Sequence, residues 1–186
     1  MSSLAPGLLI AAPPLGDPNF DRSVVLLAAH SAEGAFGWVI NGKELMSLAE
    51  LLVRAEIVTE TPRIEGSVRI GGPVAPEQVW LVYRERDRFS DVPGQVDVGP
   101  GIVASASRRA LELVAEGEGP AGLFALAGYA GWAPGQLENE IRSGAWLPVD
   151  LDDRLLFDIP REESWRRAYE TVGATPMAFT SRVGLA

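Results

Sequence analysis

The chain has 186 residues, 47% of them hydrophobic and 22% charged, which suits one compact domain over residues 1–186 that buries roughly 70% of its unfolded surface. Its 25 acidic and 16 basic residues give a formal net charge of −9, which disfavours direct nucleic-acid binding, where Lys and Arg on phosphates supply most of the affinity. The absence of cysteine removes disulfides, thiolate metal sites and thiol nucleophiles, and with a single histidine a zinc or iron centre is nearly excluded, so no cofactor and no metal is expected.

In chain order, the apolar stretch Gly7 to Pro13 lacks a basic leader and is interrupted by Pro13 and Pro14, so it reads as a first strand, from Gly7 to Ala12, and not as a signal peptide. No run approaches the ~20 apolar residues of a membrane span, and a cytoplasmic location with no membrane partner is the expectation. Val24 to His30 and Phe36 to Asn41 form a hairpin across Ser31-Ala32-Glu33-Gly34. Ser47 with Glu50 three residues on predicts a capping box, opening a helix with Leu48, Leu51, Leu52 and Ala55 on one stripe. Ser67 to Ile70 reads as a strand with Val79 to Tyr83 as its partner, the pattern between them broken by Gly71-Gly72-Pro73. Arg84 to Gly94 is the most polar stretch and predicts an exposed, mobile loop.

A strand near Gln95 to Val98 precedes a helix from Ser107 to Ala115, with Leu111 and Val114 on one face and Gly117 and Gly119 at its end. Leu123 to Gly128 has the character of a central strand, and Pro134 suits the first turn of a short helix with Leu137 and Ile141, stopped by Gly144. Leu155 to Ile159 reads as a late strand, and Trp165, Ala168, Tyr169 and Val172 make the stripe of a final helix ending at Gly173, followed by a frayed tail. Strands and helices mix without regular βαβ alternation and without internal repeats, which predicts the α+β class.

Chemistry concentrates in Asp17-Pro18-Asn19-Phe20-Asp21-Arg22-Ser23, which leads into a buried strand ending at His30. Asp17, Asn19, Ser23 and His30 can be read as a hydrolytic constellation, with His30 as base. Against it, Ser23 lacks the strained Gly-x-Ser-x-Gly turn of a nucleophile. In the structural reading Asp17 and Asn19 cap a turn, Pro18 fixes φ and Phe20 plugs the core. His30 is by itself either a proton shuttle or a hydrogen-bonded structural group. Gly99-Pro100-Gly101-Ile102-Val103-Ala104 formally meets a dinucleotide pattern, but Ile102 and Val103 read as strand and the βαβ context is missing. Gly71 and Gly72 either admit a ligand close to the backbone or simply turn a strand. Trp132 and Gln136 stand at a helix start, where free amides attract anions, though Trp132 is equally a core or interface anchor. Asp150, Asp152 and Asp153 lack the spacing of a calcium loop and read as a solvated acidic segment.

Several blocks together resemble the AlgH/YqgE family. They are Leu8-Leu9-Ile10-Ala11-Ala12-Pro13; Asp17-Pro18-Asn19-Phe20 with Ser23-Val24; His30; Glu33-Gly34-Ala35; Gly37; and Val39-Ile40-Asn41. Gly71-Gly72-Pro73-Val74 continues the likeness, as do Gly128 to Trp132, Gly135-Gln136-Leu137-Glu138, Glu140-Ile141 and Ala145-Trp146-Leu147, with Leu156-Phe157 and Trp165 in the tail. The resemblance spans nearly the whole chain in order. It implies a bacterial, soluble α+β protein whose mixed, mostly antiparallel sheet curls into a small barrel-like core flanked by helices. Some members of that family carry a transcriptional-regulator label, and the family implies no settled reaction or ligand. This sequence departs from the pattern at Gly42, Lys43 and Glu44, where the family shows a basic residue and a proline, and at Tyr83, where it often has a histidine.

Two functions follow as expectations. The first is a non-catalytic regulatory or interaction module binding a small ligand or a protein, with any effect on transcription indirect. Its candidate binding residues are Asp17, Asn19, Ser23, His30, Asn41, Gly71, Gly72, Trp132 and Gln136. The alternative is a hydrolase-like enzyme for small molecules centred on Asp17, Asn19, His30 and Asn41.

Overall fold

The computed structural model describes residues 3–13 and 20–173. Strands β1 (Gly7–Ala11), β2 (Val24–Ser31), β3 (Gly34–Val39) and β4 (Glu44–Ser47) precede helix α1 (Leu48–Arg54). Strands β5 (Ser67–Ile70), β6 (Val74–Arg84), β7 (Val96–Gly99) and β8 (Ile102–Ser105) lead to α2 (Arg108–Ala115). Then come β9 (Phe124–Trp132), α3 (Gln136–Arg142), β10 (Trp146–Val149), α4 (Asp153–Phe157) and α5 (Arg161–Thr171). The fold is α+β, its strands mostly antiparallel and flanked by helices. The chain divides into two compact units, one formed by Met1–Asn41 with Gly131–Ala186 and the other by Gly42–Ala130.

In the first unit the strands run β10–β1–β2–β3, all antiparallel. The five residues of β1 are buried without alternation, as expected of a strand covered on both faces, and α5 packs on β1 and β2. Burying Leu8, Leu9 and Ile10 is worth about 1.5–3 kcal/mol for each side chain. The Ala11 carbonyl at the end of β1 accepts from both Trp165 Nε1 (2.8 Å) and the Tyr169 hydroxyl (3.1 Å), which fixes α5 against the strand. In β2 the buried run Val24 to Leu27 gives way to alternation after a register shift between Leu27 and Ala29. That bulge leaves Ala29 and Ser31 exposed and turns His30 inward.

The second unit places β7, β8, β6 and β9 side by side, antiparallel, with β5 parallel to β9 and β4 antiparallel to β5. Its core joins Leu48 and Leu52 of α1, Ala110, Leu113 and Val114 of α2, and Leu81, Tyr83, Val103 and Ala125 from the strands. The stripe of α2 therefore centres on Ala110, Leu113 and Val114, with Leu111 at its margin.

Several expectations need correction. β5 does not pair with Val79 to Tyr83; its neighbours are β4 and β9, and β6 pairs with β8 and β9 instead. Leu155 to Ile159 is not a strand: Asp152 accepts from the Arg154 amide (3.0 Å) and caps α4, so the short apolar run winds into a helix. The last strand is β10, and β4 was also unmarked in the sequence pattern. Half of the predicted capping box forms. Ser47 Oγ accepts from the Glu50 amide (3.1 Å), but the Glu50 carboxylate turns to Arg54 (2.7 Å). Arg84 to Gly94 is not wholly exposed: Phe89 and Val92 are buried, and Gln95 holds the segment by bonds to the Phe89 amide, the Phe89 and Val92 carbonyls and the Tyr83 hydroxyl. Val172 lies past the end of α5 and is exposed. The frayed tail lies outside the described residues.

Candidate functional site

His30, on the inward face of β2 after the bulge, has both ring nitrogens engaged. The Leu4 amide donates to Nδ1 (3.0 Å), so that nitrogen carries no proton; the ring proton sits on Nε2 and is donated to Glu138 Oε1 (3.0 Å). The side chain is only 5% exposed, against 18% for Glu138. Ser3 Oγ donates to the His30 carbonyl (3.1 Å), a second tie between the segment before β1 and the end of β2. Glu138 stands in the first turn of α3. Its own backbone amide, then the bond from His30, and the nearby Arg142 charge hold its carboxyl below the usual carboxylate range. Beside the pair lies a cavity of about 410 Å³ lined by Ser3, His30, Ser31, Ala32, Gly135 and Glu138. That volume is within the roughly 300–1,000 Å³ of small-molecule sites.

A second cluster forms around Glu140, also on α3. One carboxylate oxygen accepts from the indoles of Trp132 (2.9 Å) and Trp146 (2.8 Å), and the other from Gln136 Nε2 (2.8 Å). Gln136 Oε1 in turn accepts from the Ala133 amide (3.0 Å). The Trp132 and Trp146 rings meet edge to face at 5.9 Å, and Phe20 lies against both, at 6.4 and 5.5 Å. The structure thus brings Trp132 and Gln136 together on a carboxylate, in a packed aromatic cluster.

Asn41 closes the entry to β2. Its Oδ1 accepts from the Val24 amide (2.8 Å) and its Nδ2 donates to the Arg22 carbonyl (2.9 Å), bracketing Ser23, which is buried. Arg22 itself has a positive φ of 53°, the kind of backbone that an external clamp must hold, and its guanidinium lies over the Trp165 ring at 5.8 Å. In the second unit, Gly71 and Gly72 meet backbone. A Cβ on Gly72 would fall 2.1 Å from the Tyr129 carbonyl carbon, and one on Gly71 2.6 Å from the Gly128 oxygen. The Gly71 amide donates to the Ala127 carbonyl (2.7 Å), so this close approach seats strand on strand. Asp17 and Asn19 lie outside the described residues. Gly99-Pro100-Gly101 turns the β7–β8 hairpin, and α2 begins only at Arg108, so no helix start faces that loop. Asp152 caps α4 and pairs with Arg154 (2.9 Å). Among the described residues no group of three or more His, Asp or Glu side chains is placed to hold a metal ion.

Sequence reasoning missed Glu138, Glu140 and the Leu4 amide as the partners that define these sites. The acids were visible two residues apart in a short helix, which aims them to different sides of its axis. Nothing in the sequence linked them to a histidine 108 positions away or to two tryptophans.

A UPF0301 protein from Anaeromyxobacter sp. (strain Fw109-5) is 41% identical over 184 residues, covering 96% of this chain and 92% of that protein. The solved structure of the AlgH protein from Pseudomonas aeruginosa, also a UPF0301 member, matches 100% of this chain and 97% of its own with a TM-score of 0.78 at 32% identity. A protein from Corynebacterium diphtheriae matches 90% of this chain and 86% of its own, with a TM-score of 0.70 at 25% identity. The family model described as AlgH-like, DUF179, matches residues 8–177, and the chain belongs to that family.

Proposed function

We propose that this protein is a non-catalytic binding module for a small ligand or a protein partner, with the cavity beside His30 and Glu138 as its binding site and any effect on transcription indirect. The reading rests on one observation above the others: the lone histidine has no idle nitrogen. A hydrolytic base must present a lone pair to a nucleophile, but the only unprotonated ring nitrogen accepts from the Leu4 amide, and the other holds its proton toward Glu138. Asn41 is likewise spent on the Arg22 and Val24 backbone, which counts against the hydrolase-like alternative at His30 and Asn41; its other two residues, Asp17 and Asn19, lie outside the described residues. An acidic molecule with a mid-sized cavity favours a metabolite or protein over nucleic acid.

A thermal-shift screen of metabolites and nucleotides tests this. The expected result is a compound, or a co-purifying protein, that raises the melting temperature of the wild type and loses that effect in a His30→Ala protein that still melts cooperatively. Turnover of a screened compound that disappears in His30→Ala would overturn the reading.

A further inference from the structure

We infer that the cavity at the His30–Glu138 pair is a site for a small organic cation, a primary ammonium or guanidinium group carried on a short apolar body, with the Glu138 carboxylate as its anchor. The inference rests on the binding-module reading and adds the chemical class of the ligand. It follows from a charge inventory of the cavity wall. Of its six lining residues only Glu138 carries a formal charge, because His30 is held as the neutral Nε2–H tautomer by the Leu4 amide. Glu138 Oε1 accepts that ring proton and the residue's own backbone amide also donates to the carboxylate; among the described residues no other side chain donates to it, so the carboxylate keeps lone pairs for a ligand. The own-amide bond and the His30 bond keep the group ionised, so it does not relieve its partial burial by taking up a proton.

The rest of the wall fits the same class. Ser3 Oγ has the backbone carbonyls of His30 (3.1 Å) and Ala5 (3.0 Å) within reach of its proton and accepts from the Ala5 amide (3.2 Å), and Ser31 Oγ accepts from the Glu33 amide (3.1 Å). Each hydroxyl oxygen keeps one further lone pair, and the remaining cavity surface is mostly apolar. Among the described residues Arg142 is the cation whose charge acts on the carboxylate. It is exposed and donates to the Glu138 backbone carbonyl (3.2 Å), so it lowers the site's appetite for positive charge without filling it.

The test uses the full-length protein and three probes of equal chain length: n-butylammonium, butyrate and butan-1-ol, followed by amide chemical shifts in a nitrogen-15 spectrum. Butylammonium is expected to shift Ser31, Ala32 and Gly135, and to bind roughly tenfold more weakly to Glu138→Gln, the loss of one charge-assisted hydrogen bond. Should Glu138→Gln fail to fold, Arg142→Gln serves in its place, because removing the neighbouring positive charge leaves carboxylate and histidine intact and tightens butylammonium binding severalfold. Butyrate or butanol binding as well as butylammonium at these amides overturns the cation assignment while leaving a binding module. Absence of any shift with butylammonium overturns it too, and then the module reading stands or falls on the ligand screen.

Discussion

Tyr83, buried in the core of the second unit, is held at both its hydroxyl and its ring. Its hydroxyl donates to Gln95 Oε1 (2.7 Å), and its ring packs edge to face on Phe89 at 5.3 Å. Burial pushes its pKa up to about 12 from the usual 10, against a smaller opposing pull from Arg88. Because the folded state holds this proton more tightly than the unfolded chain, its contribution to stability is fully present below pH 10 and is lost as the pH rises toward about 12. Tyrosinate absorbance should therefore show two of the three phenols titrating late, Tyr83 and Tyr169, and Tyr83→Phe should remove one of the two late steps at a cost of about 1 kcal/mol for the lost hydrogen bond. A Tyr83→Phe protein that keeps both late steps would overturn the assignment.

Elements were legible where local chemistry decides them and illegible where partners do. The buried runs of β1 and β2, the Ser47 cap of α1 and the Trp165, Ala168, Tyr169 face of α5 all follow from spacing and capping residues that lie close in sequence. Leu155 to Ile159 misled because five apolar-rich residues suit either state, and the Asp152 cap decides the matter. β4 and β10 are four residues each, too short for a period, and exist because β5 and β1 offer them an edge. The partnership of β5 with β9 was hidden for the same reason, although Gly71-Gly72 marks where it matters. There the backbone leaves β5 and presses on Tyr129, with no room for a side chain at Gly72. Gly72→Ala forces backbone against backbone and is expected to destabilise the protein by about 3 kcal/mol or more, read as a lower midpoint in urea; a midpoint like that of the wild type would mean that the strands separate without cost. For the candidate site, the sequence supplied His30 and Asn41, but not the Leu4 amide that sets the histidine's tautomer or Glu138, which accepts its ring proton.

At the scale of the whole molecule, charge sets what it can meet. A net charge of −9 sets a long-range field unfavourable to a phosphate backbone. No shift of duplex DNA is expected in an electrophoretic assay at moderate salt, and a salt-sensitive complex would reverse the view that any transcriptional effect is indirect. No helix among the described residues is long and apolar enough to cross a membrane. The two units also differ in their optical character. Of the five tryptophans, Trp38, Trp132, Trp146 and Trp165 belong to the first unit and only Trp80 to the second. The shared Glu140 clamp holds the Trp132 and Trp146 rings edge to face. Glu140→Gln is therefore expected to alter the tryptophan bands of the near-ultraviolet circular dichroism, which makes the pair a built-in spectroscopic label for whether the first unit is assembled.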